Sequence, residues 1–267
     1  MNRRPVYADR FYPGDPNELM AMVDSFLIKV PPEDKRDVIL AMLPHAGYVF
    51  SGKTAGKTIS YANIKKNVIL LGPNHTGIGT NFSLWYEGTW EIPGGYLKIN
   101  EDLAKELLEN IEELNPDFSG HLQEHSLEVI LPFLWKIDPE IKIVPISIME
   151  RRVEKLIKVG ELIADIIKED DVSLIVSSDM SHFISHNRAK TLDKIAIDEI
   201  LKIDPKGLFT TVTQNNISMC GILPMTVGLS AAKKLGAKQG ELIDYTTSGD
   251  ITGDFERVVG YAGVLIF

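Results

Sequence analysis

One cysteine stands among 267 residues. Cys220 therefore has no partner for an internal disulfide, and a lone thiolate builds neither a cysteine-rich zinc site nor an iron–sulfur cluster. Any metal must be held mostly by histidine or carboxylate. Basic charge is also short: 28 Lys and Arg against 37 Asp and Glu leave a formal charge of -9, which gives no electrostatic basis for gripping the phosphate backbone of a nucleic acid. No apolar run approaches the roughly 18 residues that a membrane span requires. The charged start, Asn2-Arg3-Arg4-Pro5-Val6-Tyr7, is not followed by the apolar stretch of a secretory signal. The chain reads as cytoplasmic. It also lacks internal repeats, low-complexity tracts and a linker, so residues 1–267 read as a single domain.

What the chain does have is apolar residues, 44% of the total, enough for a substantial core. Short β-branched runs alternate with stretches of helical period, the pattern of an α/β domain with a mainly parallel central sheet flanked by helices. Strands are expected at Val38 to Leu43, Val68 to Leu71, Ile141 to Ile148, Val172 to Ser177 and Val258 to Phe267. Their nearly unbroken hydrophobicity implies burial on both faces. Asp15-Pro16-Asn17-Glu18 offers an N-cap, a Pro at the first helical position and a capping-box Glu before the stripe Leu19, Met22, Val23, Phe26 and Leu27. Similar stripes run from Leu103 to Leu114 and from Val153 to Ile167. Stripes of this kind are core faces.

Ligands of open α/β sheets collect outside the carboxyl ends of the strands. Pro44-His45-Ala46-Gly47-Tyr48 follows the first strand, Gly72-Pro73-Asn74-His75 the second, and Ser178-Asp179-Met180-Ser181-His182 the fourth. A single histidine in such a place is ordinarily a hydrogen-bonded loop residue. Three in equivalent places are different, because a parallel sheet brings those strand ends to one edge, and imidazole is both a common metal ligand and a general acid/base near neutral pH.

Two motifs compete. Gly47-Tyr-Val-Phe-Ser-Gly52-Lys53-Thr54 spells the phosphate-binding pattern G-x-x-x-x-G-K-[ST] after a strand. Its interior, Tyr48-Val49-Phe50, is bulky for a loop wrapped around phosphates and reads more as a continuing hairpin. His121-Leu-Gln-Glu124-His125 spells the inverse zincin pattern of metallopeptidases, but behind a Ser119-Gly120 turn. Cys220, with Gly221 and Pro224 close behind it, reads equally as a small buried hydrophobe or as a thiol activated at a loop or helix start.

Taken in order, these segments resemble the Memo family, whose archaeal and bacterial members are also called AmmeMemoRadiSam system protein B. The resemblance rests on Arg4-Pro5, Ala8, Phe11-Tyr12-Pro13, the two histidine segments with Ser51-Gly52, Glu124-His125-Ser126-Leu127-Glu128 with Leu131-Pro132-Phe133, Ser177-Ser178-Asp179 with His182, Cys220-Gly221 with Pro224, and Gly260-Tyr261-Ala262-Gly263. It runs almost the full length. That family is similar to class III extradiol dioxygenases, in which two His and one Glu hold Fe(II) and a further His acts as acid/base. The resemblance implies His45 and His75 as metal ligands, with Cys220 where Memo proteins place cysteine instead of the dioxygenase carboxylate. It implies His182 as acid/base with Asp179 beside it, and His125 in the same pocket. It turns Gly47 to Thr54 into the turn after a ligand-bearing strand, and leaves His121 outside the family block. Where eukaryotic members have a second His and a basic pair, this chain has Thr76 and Ile222-Leu223.

The expected cofactor is iron(II) or copper, with zinc a further candidate because a thiolate ligand is soft. The expected activity, if any, is metal-dependent redox or dioxygenase-like chemistry on a small molecule. The alternatives are a non-catalytic scaffold that binds a peptide or protein in the same cleft, and nucleotide hydrolysis through Gly47 to Thr54. A functional link to AMMECR-type and radical SAM proteins is also implied.

Overall fold

The computed structural model describes residues 1–267. Its centre is four parallel strands, β1 (Leu40–Leu43), β2 (Asn67–Pro73), β3 (Lys142–Ile148) and β4 (Val172–Ser177), lying side by side in the order β3-β2-β4-β1. β5 (Gly240–Thr247) and β6 (Val258–Ile266) complete that side, with β6 antiparallel to β1 and β5 antiparallel to β6. Every residue of β1 and all but the first of β2 are buried, which accounts for the absence of polar alternation in their sequences. β1, β2, β3, β4 and β6 stand where the sequence places them, within two residues at each end, whereas β5 was not among the expected strands.

Helices cover the sheet. The first, α1 (Pro16–Phe26), is capped by Asp15, whose carboxylate accepts from the backbone of Asn17 and Glu18, and it buries Leu19 and Val23. A second, α2 (Tyr48–Ser60), packs on β1, β5 and β6. Val153–Ile167 forms a helix over the whole length of its apolar stripe. It packs against a helix at Ile222–Lys234 that lies on β2 and β4. No helix is long and apolar enough to cross a membrane. One apolar core of 61 buried residues joins Tyr12 to Ile266, so the strand ends are anchored in a continuous packed interior.

α2 corrects the reading of Gly47 to Thr54. The helix begins at Tyr48, so Tyr48-Val49-Phe50 is its first turn, neither a hairpin, nor a simple post-strand turn, nor a phosphate-wrapping loop. Each diagnostic letter has another task. A Cβ on Gly52 would sit 2.3 Å from the Phe26 ring, so this glycine lets α1 and α2 touch. Lys53 is exposed, and the Thr54 hydroxyl bonds Asp244 and Thr246 on β5.

The sequence reading also passed over a hairpin, Thr89–Ile92 and Gly95–Ile99, which widens the sheet beyond β3. Its signal was present: Pro93-Gly94-Gly95 is a turn sequence, and Gly94 takes φ +86°.

Candidate metal centre

Because β1, β2 and β4 are parallel and adjacent, their carboxyl ends deliver Pro44 to Gly47, Asn74 to Ile78 and Ser178 to His182 to one edge. Two of the three expected histidines meet there with a third from elsewhere in the chain. One ligand atom each of His45, His75 and His125 lie within 4.8 Å of one another. The rings of His75 and His125 stack at 4.7 Å, and His45 meets both edge-on.

Hydrogen bonds fix which ring nitrogens face inward. His45 Nδ1 lies 2.7 Å from Ser177 Oγ, and the Ser177 hydroxyl is 2.7 Å from the Ser126 carbonyl. A carbonyl only accepts, so the hydroxyl proton goes to Ser126 and Nδ1–H of His45 donates to Oγ. In the neutral ring Nε2 of His45 therefore carries the lone pair, with Cys220 Sγ 3.3 Å away. In the same way His75 Nδ1–H donates to Glu124 Oε1 at 2.9 Å, while the His75 backbone N–H donates to Oε2 at 2.6 Å. This carboxylate–imidazole pairing is the arrangement that orients histidine ligands around metals.

Electrostatics agree with neutral imidazoles. Burial, reinforced by the facing His75, lowers the His45 pKa to about 3, and burial with His45 lowers that of His125 to about 4. Burial alone would raise Glu124, but the His75 ring and the backbone N–H groups of His75 and Ser126 outweigh it and bring the carboxyl down to about 2. His45 and His125 thus present neutral nitrogens, with the Glu124 carboxylate as a fixed negative charge behind the cluster, as cation binding requires.

A family model described as Memo, Memo-like protein, matches residues 3–265. The chain belongs to the Memo family. It is 40% identical over 264 residues to a MEMO1 family protein of Aquifex aeolicus (strain VF5), covering 98% of each chain. It is 36% identical to MEMO1 family protein MK0963 of Methanopyrus kandleri, covering 99% of each, and 39% identical to MEMO1 family protein MJ0403 of Methanocaldococcus jannaschii, covering 99% of this chain and 98% of that one. Among solved structures it is similar to an uncharacterized protein, JW3007, from Escherichia coli K12, with a TM-score of 0.55 and 11% identity over 85% of this chain and 98% of the other. That likeness concerns the fold.

The Memo segments now acquire physical tasks. Arg3, buried beside the family's Arg4-Pro5, pairs with Glu128 at 2.6 Å, donates to the carbonyls of His121 and Glu124, and lies over the Trp90 ring. Glu128 also accepts from the backbone of Val6 and Tyr7 and from the Tyr12 hydroxyl. The N-terminal segment is thus clamped onto the Glu124 to Glu128 segment, and Tyr7 and Phe11 pack against His125. Arg3, Glu128 and Ser177 escaped the sequence reading as site-shaping residues, because their partners are 125, 116 and 51 positions away among the bonds involved.

Cys220 sits at the cluster's edge. Its Sγ is 3.3 Å from His45 Nε2 and accepts the Asp179 backbone N–H at 3.2 Å, although it lies outside the mutual three-histidine group. It occupies the turn before the helix Ile222–Lys234, and Gly221 lets that turn approach, since a Cβ there would meet Ser178 at 2.3 Å. Burial and nearby Asp179 push the thiol pKa up, so without a cation the sulfur keeps its proton.

The two residues of the expected acid/base pair are held by separate partners. His182 Nδ1 is 2.8 Å from the Ser218 carbonyl, so it carries the proton there and Ser218 orients the ring. Asp179 is buried and accepts the His45 backbone N–H at 2.8 Å; burial raises its pKa, with that N–H opposing. It supports the His45 loop. His121 lies apart, fully buried, with Nε2–H donating to the Ser83 carbonyl, so the inverse zincin letters do not assemble into one site.

Proposed function

We propose that His45, His75 and His125 hold one mononuclear metal ion, iron(II) or copper, with Cys220 as the adjacent soft donor, and that the protein carries out redox or dioxygenase-like chemistry on a small aromatic or enediol-like substrate. The observation that carries this reading is that the Nδ1 atoms of His45 and His75 are engaged by Ser177 and Glu124, so that Nε2 is the ring nitrogen each has left to offer an ion beside His125. Imidazole donors suit iron and copper, and a thiol alongside favours copper or zinc over harder ions. When bound, the ion supplies Lewis acidity and coordination positions for substrate and O₂.

The remaining work falls to the chain. His182, with Nδ1–H held by Ser218, offers Nε2 as the acceptor for a substrate hydroxyl proton. Asp179 and Ser177 keep the His45 backbone and ring in place. Metal analysis of protein purified without oxygen tests the assignment: wild type is expected to retain iron or copper and His45→Ala and His75→Ala to lose it. Equal metal content in all three would sink the site. Oxygen uptake with a catechol panel then tests the chemistry.

A further inference from the structure

Asp193 is an acid that the metal-capable cluster does not account for. It lies in the helix His186–Leu201, fully buried, and no Lys or Arg pairs with it. A carboxylate in the interior is costly unless its oxygens are satisfied. Two donors take them: the backbone N–H of Ser181 donates to Oδ1 at 3.0 Å, and the Tyr245 hydroxyl on β5 donates to Oδ2 at 2.7 Å. Burial raises its pKa, with those bonds opposing. Gly260 on β6 makes room for the group, since a Cβ there would lie 2.1 Å from Oδ2. The glycine that opens the family segment Gly260 to Gly263 thus serves this carboxylate.

What Asp193 grips is the backbone leading into His182. The Met180 N–H donates to the Gly260 carbonyl, the Ser181 N–H to Asp193, the Gly260 N–H to the Ser181 carbonyl, and the His182 N–H to Ser218 Oγ at 2.7 Å. Beyond His182 the sheet gives little support. The strand His182–Ile184 has three residues, and its pairing with β6 slips between His182 and Ile184. Phe183 takes φ +59°, a left-handed conformation that a bulky side chain disfavours. The imidazole meets the Ser218 carbonyl only while its own backbone stays seated, so the anchors upstream of it carry that task.

We infer that Asp193, braced by Tyr245, is a positioning residue for His182: it pins Ser181 so that the ring keeps its Nδ1–H on the Ser218 carbonyl and has Nε2 on offer. This deepens the proposed role of His182 as proton acceptor and rests on it for any consequence in turnover. A carboxylate suits the task because one oxygen takes the peptide N–H while the other is tied down, and charge-assisted bonds are shorter and stronger than neutral ones.

The test is a long-range proton–nitrogen correlation spectrum of the histidine rings in metal-free, full-length protein. It is recorded at about pH 8.5, roughly two units above the ordinary imidazole pKa, for wild type, Asp193→Ala, Asp193→Asn and Tyr245→Phe, with His182→Gln to assign the signal. Wild type is expected to hold His182 as the Nδ1–H tautomer. In Asp193→Ala the ratio of that tautomer to the other is expected to fall about fivefold or more, the worth of one ordinary hydrogen bond. Asp193→Asn keeps an acceptor for Ser181 and should restore the ratio. Tyr245→Phe removes a single hydroxyl, should lower the ratio in part, and decides the matter where Asp193→Ala does not fold. The His121 ring, with its Nε2–H on the Ser83 carbonyl, should be unchanged throughout. An unaltered His182 tautomer in Asp193→Ala and Tyr245→Phe, no recovery in Asp193→Asn, or equal changes at His121 would overturn the inference. Oxygen uptake by iron-loaded His182→Gln separates the two readings: an undiminished rate counts against His182 as proton acceptor and leaves the Asp193 assignment standing.

Discussion

Ser177 Oγ accepts the Nδ1 proton of His45 at 2.7 Å while giving its own proton to the Ser126 carbonyl. One hydroxyl thereby decides which nitrogen His45 presents to the cluster. Replacing it by Ala frees the ring to change tautomer and rotate. Ser177→Ala is expected to weaken metal binding about 10–100-fold, the usual effect of removing a hydrogen-bond partner behind a ligand, as measured by competition with a chelator. Unaltered affinity would show that the ring is fixed by something else.

Arg3 and Glu128 form a fully buried pair. Removing one partner strands the other charge in the interior. Arg3→Met is expected to destabilise by about 3–5 kcal/mol in urea unfolding, and, because the same clamp seats Tyr7 and Phe11 against His125, to lower metal affinity too. The double variant Arg3→Met with Glu128→Met should recover part of the lost stability, since no lone charge remains.

Gly52 and Lys53 sit next to each other but should respond oppositely. Gly52→Ala forces a methyl group into the Phe26 ring and is expected to cost about 1–3 kcal/mol by overpacking. Lys53→Ala, on an exposed position, should stay within about 0.5 kcal/mol. ATP and GTP should leave the melting temperature of wild type unmoved, because a ligand that does not bind the native state cannot stabilise it.

His121 adds its own contribution to the acid sensitivity that the buried His45 and His125 also confer. Burial holds its pKa down at about 4 against an ordinary 6.5. The unfolded chain therefore binds a proton that the folded chain refuses, and stability conferred above pH 6.5 is lost as pH falls toward 4. His121→Leu should flatten that loss relative to wild type in thermal melts across this range. It should lower stability at neutral pH by about 1–3 kcal/mol, for the stranded Ser83 carbonyl, and leave metal content intact. Loss of metal in this variant would contradict its separation from the cluster.

The strands that carry the site were legible because buried parallel strands are uninterrupted apolar runs, and β1, β2 and β4 are exactly such segments with a histidine or Ser-Asp sequence directly after. The helix Ile222–Lys234 was not read, since burial from Pro224 to Ala232 leaves no polar face to produce a period. Cys220 could be placed before a helix start yet not assigned a protonation state, which depends on burial by distant segments. His125 was placed in the pocket by family resemblance, whereas its stacking on His75 depends on the N-terminal clamp. The orientation of His182 by Ser218 was beyond reach, for neither spacing nor composition marks a carbonyl that lies 36 residues away.

The order of the strands also sets a timetable. β1 and β2, which lead to His45 and His75, are not neighbours: β4 lies between them and pairs with both. A growing polypeptide that has emerged from the ribosome as far as β3 already carries all three imidazoles, yet the gap between their two strands stays open until residues 172–177 arrive to fill it. Ser177, the residue that fixes the His45 ring, is the last residue of that same strand. Insertion and orientation are thus completed together, so a nascent chain cannot display a finished ion-binding cluster before its sheet is closed.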